Sequence, residues 1–100
     1  MLLLPVNLTV YEARATLLLL VRALKREPNG RVTVDASQLK QFDSAALAVI
    51  LECRRQALAL RRSFAVHGMP PKLLTLATLY GVSSLLIESG DTKEPALPLL

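Results

Sequence analysis

The stretch RVTVDASQLKQFDSAALAVILECRRQALAL, residues 31–60, changes its apolar period at a single polar corner. Before the corner, Val32 and Val34 alternate with Arg31, Thr33 and Asp35. That is the two-residue period of a strand, entered from a turn at Asn29-Gly30. After the corner, Ala46, Val49, Ile50, Cys53, Ala57 and Leu60 recur at three- and four-residue spacing, the inward stripe of a helix running from about Ser44 to Leu60. Its small side chains let the helix sit close on a sheet. A strand feeding such a helix returns as a parallel strand through a right-handed crossover, which restricts the chain to α/β architectures.

The same alternation recurs on both sides of this unit. LLLPVNL, residues 2–8, is a short apolar run compatible with a buried strand. Thr9 and Glu12 have the spacing of a capping box, so a helix is expected from there through about Leu24, with Lys25 and Arg26 in its last turn and EPNG stopping it. Leu17, Leu20, Val21 and Leu24 share one face of that helix, whereas Leu18 and Leu19 point elsewhere. The helix is therefore either buried on two sides or left with a sticky outer face. SFAVHGM, residues 63–69, reads as another strand, ended by Gly68 and by Pro70-Pro71, with Pro71 placed to start the next helix. KLLTLATLY, residues 72–80, is that helix, and Gly81 can supply its left-handed cap. Three strand-helix pairs without a repeat or linker give one α/β domain over residues 1–87. Residues 88–100, SGDTKEPALPLL with its preceding Glu88, mix turn formers, charges and two prolines and read as a tail without a core of its own. Its ALPLL end could dock on an uncovered apolar strip.

One hundred residues form a single core with little room for a deep substrate cleft, which favours a one-site binding or regulatory module. The opening MLLLPVNLTV lacks a basic leader and TLLLLV is far shorter than a membrane span, so neither export nor anchoring is expected. The lone Cys53 fits a reducing cytoplasm and excludes an intrachain disulfide framework. The formal charge of +4 could answer nucleic acid, anionic lipid or an acidic protein. Arg54, Arg55, Arg61 and Arg62 cluster without an interleaved aromatic platform, so they read as a solvated helix face and nucleic-acid binding is not expected.

The chemistry available is thin. His67 is the only histidine and lies on a strand, distant in sequence from Ser44 and Cys53. FDSAA lacks the G-x-S-x-G elbow, no glycine-rich phosphate loop occurs, and one His with one Cys has no metal-ligand spacing. No enzyme activity, metal or cofactor is expected. The corner itself holds Asp43 and Ser44 side by side. Capping explains one of them, at roughly 1 kcal/mol. The other leaves a hydroxyl in the first turn, where the helix dipole favours an anion, including a phosphate.

VDASQLKQFDSAALAVIL, residues 34–51, resembles the STAS domain of anti-sigma factor antagonists and sulfate transporter tails, with the likeness running from about Leu2 to Leu86. The resemblance implies a mixed central sheet flanked by helices. It also implies an extra N-terminal strand for which this chain has no residues, leaving an edge that could pair with a second copy or with the tail. Ser44 matches the hydroxyl phosphorylated in the antagonists, although Ala45 and Ala46 stand where the family often has Ser or Thr and Gly. MPPKLLTLATLYGVSSLL, residues 69–86, is similar to the MlaB type, the cytoplasmic STAS subunits of phospholipid-transporting ABC complexes in Gram-negative bacteria. By that resemblance the chain is a non-enzymatic subunit that steadies or regulates the transporter's ATPase and reaches the inner membrane only through the complex. The alternative is an antagonist released when Ser44 is phosphorylated. The surface expected to meet the partner is Lys40, Gln41, Asp43, Ser44, Ala45 and Ala48, with Phe42 plugging the core beneath.

Overall fold

The computed structural model describes residues 1–27 and 30–86. Asn29 of the expected turn and the expected tail, residues 88–100, lie outside the described residues. The elements in chain order are β1 (Leu2–Leu3), β2 (Asn7–Leu8), α1 (Val10–Arg26), β3 (Arg31–Asp35), β4 (Gln41–Phe42), α2 (Ser44–Ala59), β5 (Ser63–His67), α3 (Pro71–Leu79) and α4 (Ser83–Leu86).

Three strands form a sheet in the order β1-β3-β5, with Leu2 opposite Val34 and Val32 opposite Phe64. A separate ladder pairs β2 with β4, Asn7 opposite Gln41 and Leu8 opposite Phe42. The two ladders follow the same two stretches of chain. Pro5, with no N–H to give, interrupts the first stretch, and the loop 36–40 interrupts the second. Backbone bonds bridge the gap: Leu4 N donates to the Asp35 carbonyl at 3.0 Å, and Lys40 N and Gln41 N both donate to the Val6 carbonyl.

The mixed sheet implied by the resemblance is corrected here. Every ladder among the described residues is parallel. The physical reason is that each connection within the main sheet is a helix, and a helical crossover returns the chain in its original direction. The α/β domain expected from the sequence is otherwise the one observed, and β1 forms one edge of the described sheet.

With the sheet order advancing one way, right-handed crossovers place α1 and α2 side by side on one face. That face is dry. Leu2, Leu4, Val32, Val34, Phe64 and Val66 meet Leu20 and Leu24 of α1 and Ala46, Val49, Ile50, Cys53 and Ala57 of α2 in one core. Leu47 joins them although the sequence stripe omitted it, and Leu60 leaves, because it is the C-cap residue of α2. On α1 the outer face stays in solvent: Leu18 is 56% and Leu19 is 66% exposed, which decides against a helix buried on two sides.

The helix ends follow from the residues. Thr9 caps α1 as expected, with its N–H and hydroxyl donating to Glu12 Oε1 at 2.8 and 2.7 Å and its Oγ1 accepting from Tyr11 N. These bonds, the hydroxyl's foremost, hold the Glu12 carboxyl below the usual range. Pro71 occupies the first turn of α3. The helix ends at Gly81, whose φ of +73° lets Gly81 N reach Thr78 O and Val82 N reach Ala77 O, the two bonds of a Schellman cap. The end of α2 has the same two bonds, from Arg61 N to Leu58 O and from Arg62 N to Ala57 O. There the left-handed position, φ +60°, is held by Arg61 rather than glycine.

Candidate functional site

The corner is held by one carboxylate. Asp43 is the N-cap of α2, its Oδ1 accepting from Ala45 N at 2.8 Å, while its Oδ2 accepts from Val10 N at 3.2 Å. Val10 is the first residue of α1, so one side chain satisfies an orphan N–H at the start of each helix. Both oxygens of Asp43 therefore hold the fold together at the corner.

Ser44 is exposed on the first turn of α2, and among the described residues its hydroxyl makes no hydrogen bond. Lys40, Gln41 and Ala48 are exposed and Ala45 is half-buried. The six residues expected to form a contact surface thus lie together on the short strand β4, its lead-in and the outward side of the first turns of α2. Phe42 is half-buried and packs against the core, as a plug beneath the corner would.

A groove of about 370 Å³ opens beside this surface, between the first halves of α1 and α2. Ala45, Ala48 and Val49 form one wall, and Val10, Ala13, Arg14 and Leu17 form the other. The small alanines on α2 create the space, and Arg14 is the one charged side chain lining it. The wall from α1 was missed by sequence reasoning. Ala13 and Leu17 are four residues apart and share a face, but no local pattern ties that face to a corner thirty residues later.

The loop feeding the corner is also fixed from below. Asp35 Oδ1 accepts from Ser37 N at 2.9 Å, and Ser37, through its hydroxyl first and its backbone N–H second, holds the Asp35 carboxyl below the usual range, with His67 adding a smaller attraction. Gly68 has φ +71°, and a Cβ built on it would come within 2.9 Å of Ser37 Cβ and 3.2 Å of Ser37 Cα. Only glycine lets β5 end that close under the loop.

The remaining candidate chemistry is not assembled. His67 lies exposed at the end of β5 opposite Asp35, and no hydrogen bond joins it to Ser44. Cys53 is buried in the core, and desolvation pushes its thiol up to about 12, so it is held as an unreactive thiol. Among the described residues no group of three or more His, Cys, Asp or Glu side chains could hold a metal ion, and no helix is long and apolar enough to cross a membrane.

A family model described as "Mlab, STAS domain" matches residues 4–88. The chain belongs to the STAS domain family. No curated protein matches it. STAS domains include both MlaB-like and anti-sigma factor antagonist-like proteins and are generally non-catalytic. In this STAS domain the matched segment contains the whole corner, both walls of the groove and Gly68.

Proposed function

We propose that this STAS domain is a non-catalytic subunit that binds, and steadies or regulates, the ATPase of an ABC transporter moving phospholipids between inner and outer membranes. The corner and its groove are the contact surface. In the cell the domain then sits on the cytoplasmic side of the inner membrane, held there by the complex. The observation that carries this reading is the groove between α1 and α2: its lining is apolar apart from Arg14, with Ala13, Ala45 and Ala48 in its walls, and the exposed Ser44 directly precedes the Ala45 wall on the first turn of α2. An apolar centre with a polar rim is what a side chain or helix ridge from a protein partner requires. The Mlab description of the matching family model supports the choice of partner.

Ser44 lies where the interface closes. Its removal leaves a partner group unpaired, at about 1 to 3 kcal/mol, and a charge placed there costs more. Ser44→Ala should weaken co-purification with the ATPase, and Ser44→Asp should weaken it further. Neither should lower the melting temperature of the free domain, because Asp43 still caps α2. Wild-type binding by both variants refutes the interface. Melts that fall in parallel with binding make Ser44 a folding residue instead.

One observation favours a second reading, the phosphorylation-switched antagonist: the Ser44 hydroxyl is exposed, and without a hydrogen-bond partner among the described residues, on the first turn of a 16-residue helix, open to a kinase. A phosphate there carries about −1.5 to −2 charge and would be favoured by the helix end while repelling a close-packed partner. Stoichiometric phosphorylation of Ser44 by an anti-sigma kinase, with no ATPase retained, would select that reading.

A further inference from the structure

In a parallel sheet the strands all begin at one end, so the helices that feed them finish there. Lys25 and Arg26 close α1, Arg31 opens β3, and Arg61 and Arg62 stand between α2 and β5. Two contacts draw them together. The Arg62 guanidinium donates from Nη1 to the carbonyl of Leu24, and Ser63 N donates to the Gly30 carbonyl at 2.8 Å. Basic residues from three separate stretches therefore share one pole of the molecule, at the opposite end of α2 from the Ser44 corner. The acid at this pole, Glu27, faces the Met1 amino group at 3.6 Å. Lys25, Arg26, Arg31 and Arg61 are exposed, and none pairs with an acidic side chain among the described residues.

Helix C-termini favour cations, which accounts for Lys25 and Arg26. It does not account for Arg31, which starts a strand, nor for the leucines beside Arg61. Leu58 is 47% and Leu60 is 43% exposed, on the final turn that the left-handed Arg61 bends out of the helix. Leucines and cations mixed on one exposed pole suit the boundary between lipid headgroups and acyl chains. A nucleic acid would use the cations and leave the leucines in water.

The geometry points to this pole as a direct docking surface for a bilayer that carries anionic phospholipid headgroups, with the four exposed cations meeting phosphates and Leu58 and Leu60 entering the headgroup boundary. Membrane contact is then made by the chain itself, where the sequence suggested only an indirect one. The inference stands apart from the ATPase reading, since the 16 residues of α2 separate the pole from the corner by about 24 Å at the helical rise.

The test is sedimentation of the full chain, with no ATPase present, with vesicles of phosphatidylcholine alone and of phosphatidylcholine mixed equally with phosphatidylglycerol. Binding to the mixed vesicles alone, weakening as salt rises, is expected. Each cation removed should lower partitioning about five-fold, so the triple variant Arg26→Ala, Arg31→Ala, Arg61→Gly should lose roughly a hundred-fold. Leu58→Ser with Leu60→Ser should lower binding while leaving its salt dependence unchanged. Equal binding to both vesicles, binding to neither, or a triple variant that binds like wild type overturns the inference. Retention of duplex DNA that the triple variant loses and the leucine variant keeps, with no vesicle binding, assigns the pole to nucleic acid instead.

Discussion

At the start of α2 a single carboxylate, Asp43, collects N–H groups from two helices; at its far end a guanidinium, Arg62, reaches the last turn of the neighbouring helix. Both devices tie α1 to α2, yet the two ends differ in what they leave over. The corner spends its acid on capping and leaves a neutral hydroxyl, two alanines and a groove. The pole leaves several cations and two leucines that the fold does not use. A helix dipole alone predicts acid at one end and base at the other. The excess beyond that prediction is what marks each end as a surface for something else.

The largest effect expected from disturbing this arrangement is at Gly68, beneath the loop that leads into the corner. Gly68→Ala places a Cβ against Ser37 in a left-handed backbone and should cost about 2 kcal/mol. Urea unfolding would show this, and an unchanged midpoint would mean the loop yields freely. Next is Asp43→Ala, which removes the cap of α2 and the link to Val10 together and should cost about 1 to 2 kcal/mol. Asp43→Asn keeps one oxygen to cap α2 but sets an NH2 where Oδ2 accepts from Val10 N, so it should cost less than Asp43→Ala, and the gap between the two variants reports the cap alone. At the other end the sign reverses. Arg61→Gly relieves a left-handed residue that needs no side chain for its backbone bonds and should raise stability by about 0.5 to 1 kcal/mol. A destabilised glycine variant would show that the arginine side chain itself holds the turn.

The smallest effect is the acid dependence. The Arg55 side chain, followed by Gln56, lowers the Glu52 carboxyl from 4.5 to about 2, and Glu12 and Asp35 are lowered as well. For a depressed carboxyl the stabilisation is complete above its unfolded value and is lost as pH falls through its folded one. Glu52→Gln should therefore lower stability slightly at neutral pH, where the charged carboxylate's contribution is complete, and flatten the profile between pH 4.5 and about 2. Thermal melts from neutral pH down through that range should show the two proteins converging at the acid end.

What the sequence made legible was local. The Thr9–Glu12 cap, the alternation of Val32 and Val34, the Pro71 start and the Gly81 stop each depend on residues within a few positions, and each is found where expected. The misses are non-local. β4 is two residues whose strand character exists only because Asn7 and Leu8 lie beside them. The second bond of Asp43 and the α1 wall of the groove depend on how α1 lies along α2. Leu47 is buried although it falls outside a single stripe, because α2 packs against both α1 and α3. The corner residues were legible as a group because a helix start and a loop are both local. Arg31 was not placed with Arg61 and Arg62, since only the β3–β5 pairing brings them together.

The comparison of the two ends is tested most directly by one substitution at each, measured in the same co-purification with the transporter ATPase. Ala48→Arg fills the groove from an exposed position, and Arg61→Gly removes a cation from the pole without strain. If the corner is the partner surface, Ala48→Arg loses the ATPase while its free domain melts like wild type, and Arg61→Gly retains it. Retention of the ATPase by Ala48→Arg, or its loss in Arg61→Gly, would contradict that assignment and move the interface away from the corner.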